Sequence, residues 1–408
     1  MINSKLPIVR QTPITMNNKL KFTEVADLAP LHETMITLRR HLHQHPELSN
    51  EEEATAALVA EKLRAWGYQV TTGIGGHSVV GTLRAGSGTR TLGLRADMDA
   101  LPIAETSGVP YASQTPGKMH ACGHDGHTAM LLGAACHLAQ TRNFSGTLNL
   151  IFQPAEEIGF NSGAERMIQE GLFDRFPCDA VFGMHNHPGY PSGTLMFRDG
   201  PFMAACDTVY ITVHGKGGHA ARPQMAVDPI VAASSLVMAL QTLVARNTDP
   251  FAAAVVTVGA FNAGQAPNVI PPSARLALSV RSFDAEVRRA LEQRIRSLVE
   301  SHVAGFGARA EIDYIPGYPV LINQQEQTEF ASQVARDLLG EAQVVAPLPA
   351  IAGSEDFAYF LQQRPGCFLR IGNGDSAMLH QAAYDFNDEN LVVGAAYWSR
   401  LTEQYLQD

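Results

Sequence analysis

Thr208-Val209-Tyr210-Ile211-Thr212-Val213 decides how this chain is divided. Val209, Ile211 and Val213 fall on one face of an extended chain, the period-2 signature of a half-buried strand. Working outward, Asp228-Pro229 opens a helix that runs to about residue 245, with Pro in its first turn. Residues 254–260 and 275–281 read as strands, the second with Leu276, Leu278 and Val280 alternating against Arg275, Ala277 and Ser279. A helix over 284–303 and a strand over 309–315 complete the order β-α-β-β-α-β, a ferredoxin-like split βαβ unit. Upstream of Pro201 the pattern differs. Residues 78–83, 91–96, 147–152 and 180–184 are short apolar segments, and 128–139 reads as a buried helix between them. Strands alternating with helices predict a mostly parallel α/β sheet. That alternation resumes after Tyr318, with a helix from Gln327, a strand over 367–371 and a last helix from Asn390. A compact α+β unit is therefore inserted into an α/β unit.

The N-terminal part carries its own signals. Leu31, Met35, Leu38 and Leu42 mark one helix face, which Pro46 ends. Ser49 with Glu52 has the capping-box spacing for a second helix, ending at Gly67. Residues 1–18 mix Pro7, Pro13, Lys5 and Arg10 without an apolar stretch and small-residue cleavage site, so a frayed extension and no secretory signal are expected. Met16 offers an alternative start.

Composition excludes several classes. The 408 residues carry 30 Lys and Arg against 40 Asp and Glu, a net charge of -10, which argues against a polyanionic partner. No run of 18 apolar residues exists, so a membrane span is not expected. Five Cys, an odd number, read as thiols in a reducing, cytoplasmic compartment, with Cys136, Cys178, Cys206 and Cys367 in the core. Fifteen His are the notable excess, because His ligates metals and moves protons near neutral pH.

The polar residues sit where an α/β sheet places its chemistry. The 91–96 strand leads into Asp97 and Asp99, the 148–153 strand through Pro154 into Glu156 and Glu157, and the 181–184 strand into His185. Ligands of open α/β sheets bind beyond the carboxyl ends of strands, so these ends converge. Between the first two lies His120-Ala121-Cys122-Gly123-His124-Asp125-Gly126-His127. A Cys-x-His step supplies two ligands from one tight turn, which Gly123 relieves. His380 is the last donor. The His41, His43 and His45 group reads as exposed imidazoles at a helix end. Cys, His and carboxylate together suit Zn, Mn, Co or Ni. Five donors exceed one tetrahedral site, so one or two divalent ions are expected, and two would share a ligand. One carboxylate of the pair ligates and the other moves the water proton, which makes the reaction metal-assisted hydrolysis, best fitted to an amide.

At this point a resemblance is evident. His43-Gln44-His45-Pro46-Glu47-Leu48, Arg95-Ala96-Asp97-Met98-Asp99, the 120–127 cluster, Gln153-Pro154-Ala155-Glu156-Glu157, Gly183-Met184-His185-Asn186, Gly217-Gly218-His219, Asn268-Val269-Ile270-Pro271, Ser354-Glu355-Asp356-Phe357 and His380 recur in order. The chain resembles the metal-dependent aminoacylase, hippurate hydrolase and indoleacetyl-amino-acid hydrolase family. The resemblance implies a zinc-exopeptidase-like α/β catalytic domain with an inserted ferredoxin-like α+β lid. The parts are a flexible extension at 1–20, catalytic segments at 21–201 and 317–408, and a lid and dimerisation domain at 202–316. It implies metal ligands at Cys122, His124, Glu157, His185 and His380, with Cys122 bridging, and Glu156 as general acid/base. His219 and Asn268 match substrate-contacting lid positions, His219 as oxyanion donor across a dimer; Arg281 is carboxylate-binding or structural. Substrates would be N-acyl amino acids or short peptides, and the assembly a homodimer or larger homo-oligomer.

Three departures bear on substrate preference: Gln224 where relatives carry His, His187 where many are aromatic, and Leu278-Ser279 before Arg281. Competing readings are a dipeptidase or carboxypeptidase on the same scaffold, a Cys122 thiol nucleophile paired with His124 or His127, and a non-catalytic metabolite-binding protein.

Overall fold

The computed structural model describes residues 21–407; the expected extension at 1–20 and the Met16 start lie outside them. The first layer is an eight-stranded mixed sheet. Its spatial order is Gln69–Thr72, Val79–Ala85, Gly146–Gln153, Thr91–Asp97, Ala180–His187, Gly366–Gly372, Leu195–Met196 and Val344–Val345. The four central strands run parallel, and antiparallel pairs join them to both flanks. Central strands covered on both faces must be apolar throughout, and Thr91–Asp97 is buried from Leu92 onward. Helix His124–Thr141 packs against the last helix, Asn390–Tyr405, and its Gly133 leaves no room for a side chain beside Met35.

The second layer is a four-stranded antiparallel sheet in the order Ala254–Ala263, Ser273–Ser282, Ala205–His214, Arg309–Pro316. Two helices, Pro229–Asn247 and Ala285–Ala304, cover one face, where Val209, Ile211, Val213, Leu276, Leu278 and Val280 form a separate core. Both helices are capped as their sequences predict: Asp228 accepts from Ile230 N–H, and Asp284 from Glu286 and Val287 N–H.

Pro229–Asn247 is long and apolar enough to cross a membrane, with a mean hydropathy of 1.4. Ser234, Ser235, Gln241 and Thr242 interrupt its apolar run, and in the fold its Leu236, Leu240 and Leu243 close the lid core, so this helix does not overturn the expectation of no membrane span. Several other expectations are corrected. The Ser49–Glu52 capping box does not form. Helix Glu53–Ala65 is capped by Glu47, whose carboxylate accepts from Ala54 and Thr55 N–H at 3.0 and 2.8 Å. Ser49 and Glu52 turn inward, onto Asp99 and the Ala155 N–H. His43 is buried, not exposed, and lies between Asp125 and Glu105 at 2.8 and 3.2 Å. Cys206 is half-buried, whereas the other four Cys are buried.

Candidate metal centre and active site

Cys122 stands one residue before Gly123, whose φ of 87° is left-handed, and helix His124–Thr141 starts immediately after. A Cβ at Gly123 would lie 2.3 Å from the Asn186 amide, so only Gly permits this turn. The turn brings Cys122 Sγ within 3.3 Å of His185 Nε2, at the end of its strand. His380 arrives from the opposite side with a left-handed φ of 65°, its N–H bonded to Ala121 O at 2.8 Å. Such a conformation costs roughly 1–2 kcal/mol in a non-Gly residue and is held only where surrounding bonds enforce it.

The donors form two interlocking groups. Cys122, His124 and His185 have ligand atoms within 4.8 Å of one another, and so do Cys122, Glu157 and His380. Cys122 is the shared corner. His124 Nε2 and Glu157 Oε1 are 3.8 Å apart, both buried and without hydrogen-bond partners. Orphaned buried polar atoms are costly, and both lie among the donors, Glu157 Oε1 also within 3.4 Å of His380 Nε2.

A ring of polar residues aims the donors. His124 Nδ1 faces Asp99 Oδ1 at 3.2 Å, while Asp99 Oδ2 accepts from Glu157 N–H at 2.9 Å and from the Ser49 hydroxyl at 2.6 Å. His185 Nδ1 donates to Asn186 O at 2.7 Å, which turns Nε2 towards Cys122 as an acceptor. His127 is used on both sides, against Asp97 at 2.6 Å and the Asn186 N–H at 3.0 Å, so it holds the site together from behind.

The electrostatics fit cations. Burial favours neutral His124, but Asp97 and Asp99 overcome it and push this imidazole up to about 10, a measure of the anionic field. Burial and Arg370 keep His185 well below its ordinary value, in the neutral form that ligates. Burial, then Glu157 and Glu156, pushes the Cys122 thiol well above its usual range. A nucleophilic Cys needs the opposite shift, so the thiol-nucleophile reading is disfavoured, whereas a coordinated thiol loses its proton outright.

Glu156 precedes Glu157 after a second strained turn, Ala155 at a φ of 51°. It is buried within ligand distance of Glu355 and Asp356, and with Glu157 it also reaches His124. Burial first, then Glu355, Glu157, Asp356 and Asp99, raises its carboxyl well above the usual range. A carboxyl that favours its proton is suited to returning one to a leaving group.

The lid residues lie elsewhere. His219 and Asn268 are exposed neighbours on the lid: His219 pairs with Val269 across two short strands, and Ala220 N–H bonds Asn268 O at 3.1 Å. Ala221 N–H donates to His219 Nδ1 at 3.0 Å, so the neutral ring carries its proton on Nε2 and offers a donor. Among the described residues, no hydrogen bond joins either to the donor cluster. Arg281 is separate from them, half-buried at the junction of lid and sheet, with Nη1 3.1 Å from Ser354 Oγ. Gln224 sits exposed in the turn Pro223–Met225, and His187 stacks on Tyr190 at 5.4 Å.

Sequence reasoning assigned no site role to Asp99, Asn186 or Tyr318, and gave Glu52 a helix-capping role in place of its bond to the Ala155 N–H. Asp99 alone carried a signal, standing two positions past Asp97 beyond a strand end. The others act across 64 to 162 positions of sequence and have no local signature.

Fold and site together define a metal-dependent amidohydrolase. The family model described as Peptidase family M20/M25/M40 matches residues 93–404, and the chain belongs to that family. It is 44% identical over 370 residues to a hippurate hydrolase of Campylobacter jejuni, covering 91% of this chain and 96% of that protein. It is 42% identical over 373 residues to an N-acetyl-L-cysteine deacetylase of Bacillus subtilis, covering 91% and 88%. Among solved structures, a Bacillus subtilis protein described as a dinuclear metal binding peptidase from M20 family matches with a TM-score of 0.80 and 34% identity, covering 92% of this chain and 99% of that one.

Proposed function

We propose that this chain hydrolyses the amide bond of N-acyl amino acids of the hippurate type, with aromatic or aliphatic acyl groups. The observation that carries the reading is Cys122 at the shared corner of two donor triads, with Glu156 beside them. Cys122, His124, Glu157, His185 and His380 would hold two divalent ions of the Zn, Mn, Co or Ni type. When bound, the ions supply Lewis acidity, which acidifies water and polarises the scissile carbonyl. Glu156 takes the proton of the attacking water and returns it to the amide nitrogen as the C–N bond breaks. His219 donates its Nε2 proton in a hydrogen bond to the tetrahedral oxyanion, with Asn268 beside it. Arg281 binds the substrate carboxylate. Because His219 and Asn268 do not bond to their own chain's cluster, a homodimer in which one lid completes the other site suits this chemistry. The acidic balance and odd thiol count suit a cytoplasmic enzyme acting on small molecules.

The test is metal-loaded protein against benzoyl-, acetyl- and indoleacetyl-amino acids and dipeptides. Hydrolysis of the acyl series well above the dipeptides is expected. Dipeptides turned over faster would make the chain a dipeptidase, and saturable binding without turnover would make it a metabolite-binding protein.

A further inference from the structure

The lid joins the catalytic layer through two chain passages, one entering at Ala204–Cys206 and one leaving at Pro316–Tyr318. They meet side by side: Cys206 N–H donates to Tyr318 O at 3.1 Å. Buried Asp207 ties the crossing together. It accepts from Gly317 N–H at 3.2 Å, from the Tyr314 hydroxyl at 2.8 Å and from Arg288 of the lid helix Ala285–Ala304. Arg288 also donates to Gly317 O at 2.9 Å. Gly317 is pressed so close that a Cβ would lie 2.3 Å from Cys206 O and 2.7 Å from Gly159 O.

The next residue reaches the active site. The Tyr318 hydroxyl donates to the carbonyl of Glu156 and accepts from Gly159 N–H at 2.8 Å. The peptides around Glu156 are thus held from two sides. The catalytic layer fixes Ala155 N–H through Glu52 at 2.7 Å and Glu157 N–H through Asp99 at 2.9 Å. The Glu156 carbonyl is held by Tyr318, two residues past the lid's last strand, Arg309–Pro316.

We propose that Tyr318 is a positioning residue that couples the lid hinge to Glu156, so that lid orientation sets where the general acid/base stands. This rests on the hydrolase reading for its kinetic test, but the coupling itself is a property of the fold. A shift of about 1 Å in a catalytic group can cost ~10²-fold in rate, so one hydrogen bond at the Glu156 peptide is enough to matter.

Tyr318→Phe keeps the ring against Tyr359 and removes only the hydroxyl. The experiment combines it with Asp207→Asn, which loosens the hinge, and reads kcat, KM, bound metal and amide exchange over residues 155–159. For Tyr318→Phe we expect kcat to fall about 10-fold with KM and metal content near parental values. Asp207→Asn should slow the parent and speed exchange at 155–159, yet change neither in the Tyr318→Phe background. Independent effects of the two substitutions, a kcat within twofold of the parent, or a rate loss matched by metal loss would overturn the coupling. A parent without hydrolytic activity would refute the function instead, and the exchange arm would still decide the coupling. Arg288→Met replaces Asp207→Asn should the latter fail to fold.

Discussion

The metal centre and the lid solve the same problem of placing a side chain in opposite ways. At the centre each donor is aimed by a second buried group: His124 by Asp99, His185 by the Asn186 carbonyl, and Glu157 by the Asp99 bond to its N–H. His219 and Asn268 are exposed and held by a few backbone bonds between short strands. A preorganised centre needs rigid neighbours, because a loosely held ligand loses affinity; a lid that must open needs few. Substitutions at the centre should therefore disturb metal, stability and rate together, and substitutions on the lid rate alone.

The largest effect tests the boundary case, a central residue that is not a ligand. Glu156→Gln should keep both ions yet lose ~10²–10⁴ or more in kcat, since general acid–base catalysis alone is of that size. Metal analysis beside steady-state kinetics checks it. On the lid, His219→Ala should cost ~10²–10³ in kcat, the usual loss of an oxyanion donor, with melting temperature and metal content unchanged. A lowered melting temperature there would erase the contrast.

The next prediction concerns the support beneath the centre. Burial opposes charge on His43, but hydrogen bonds to Asp125 and Glu105 overcome it and raise the imidazole to about 9. A raised folded pKa contributes stability that is full below the unfolded value of about 6.5 and is lost as pH climbs through about 9. That contribution is at most about 3 kcal/mol. Urea unfolding of parent and His43→Gln should differ at pH 6 and converge by about pH 9.5. Asp99→Asn should weaken metal binding ~10–100-fold by releasing His124 and Glu157, measurable by competition with a chelator. The smallest effect is Glu47→Ala, which removes an unforeseen helix cap and should cost ~1 kcal/mol without touching metal or rate.

The contrast also explains what could be read in advance. The lid's strands and helices were legible because each has one wet and one dry face, and alternation reports that directly. The central strands were legible by apolar content and their donors by clustering around Gly123 and Pro154. Their support was not. Ser49 and Glu52 satisfy a capping box locally, but Asp99 and the Ala155 N–H compete for the same oxygens and win, and Glu47 caps the helix from outside the pattern. His43 looked like part of an exposed His run, because its partners Asp125 and Glu105 lie 82 and 62 residues away. The short strands Leu195–Met196, Leu321–Asn323 and Val344–Val345 are too brief to show a period. Helix Phe357–Leu361 likewise spans little more than one turn.

The central claim is that Cys122 is the shared corner of a two-ion centre. Cobalt-loaded protein tests it most directly, by counting ions per chain and recording the absorption of a thiolate bound to cobalt. The account predicts two ions per chain and a sulfur-to-cobalt band that vanishes in Cys122→Ser. A parent without that band, or a band that survives Cys122→Ser, would contradict it.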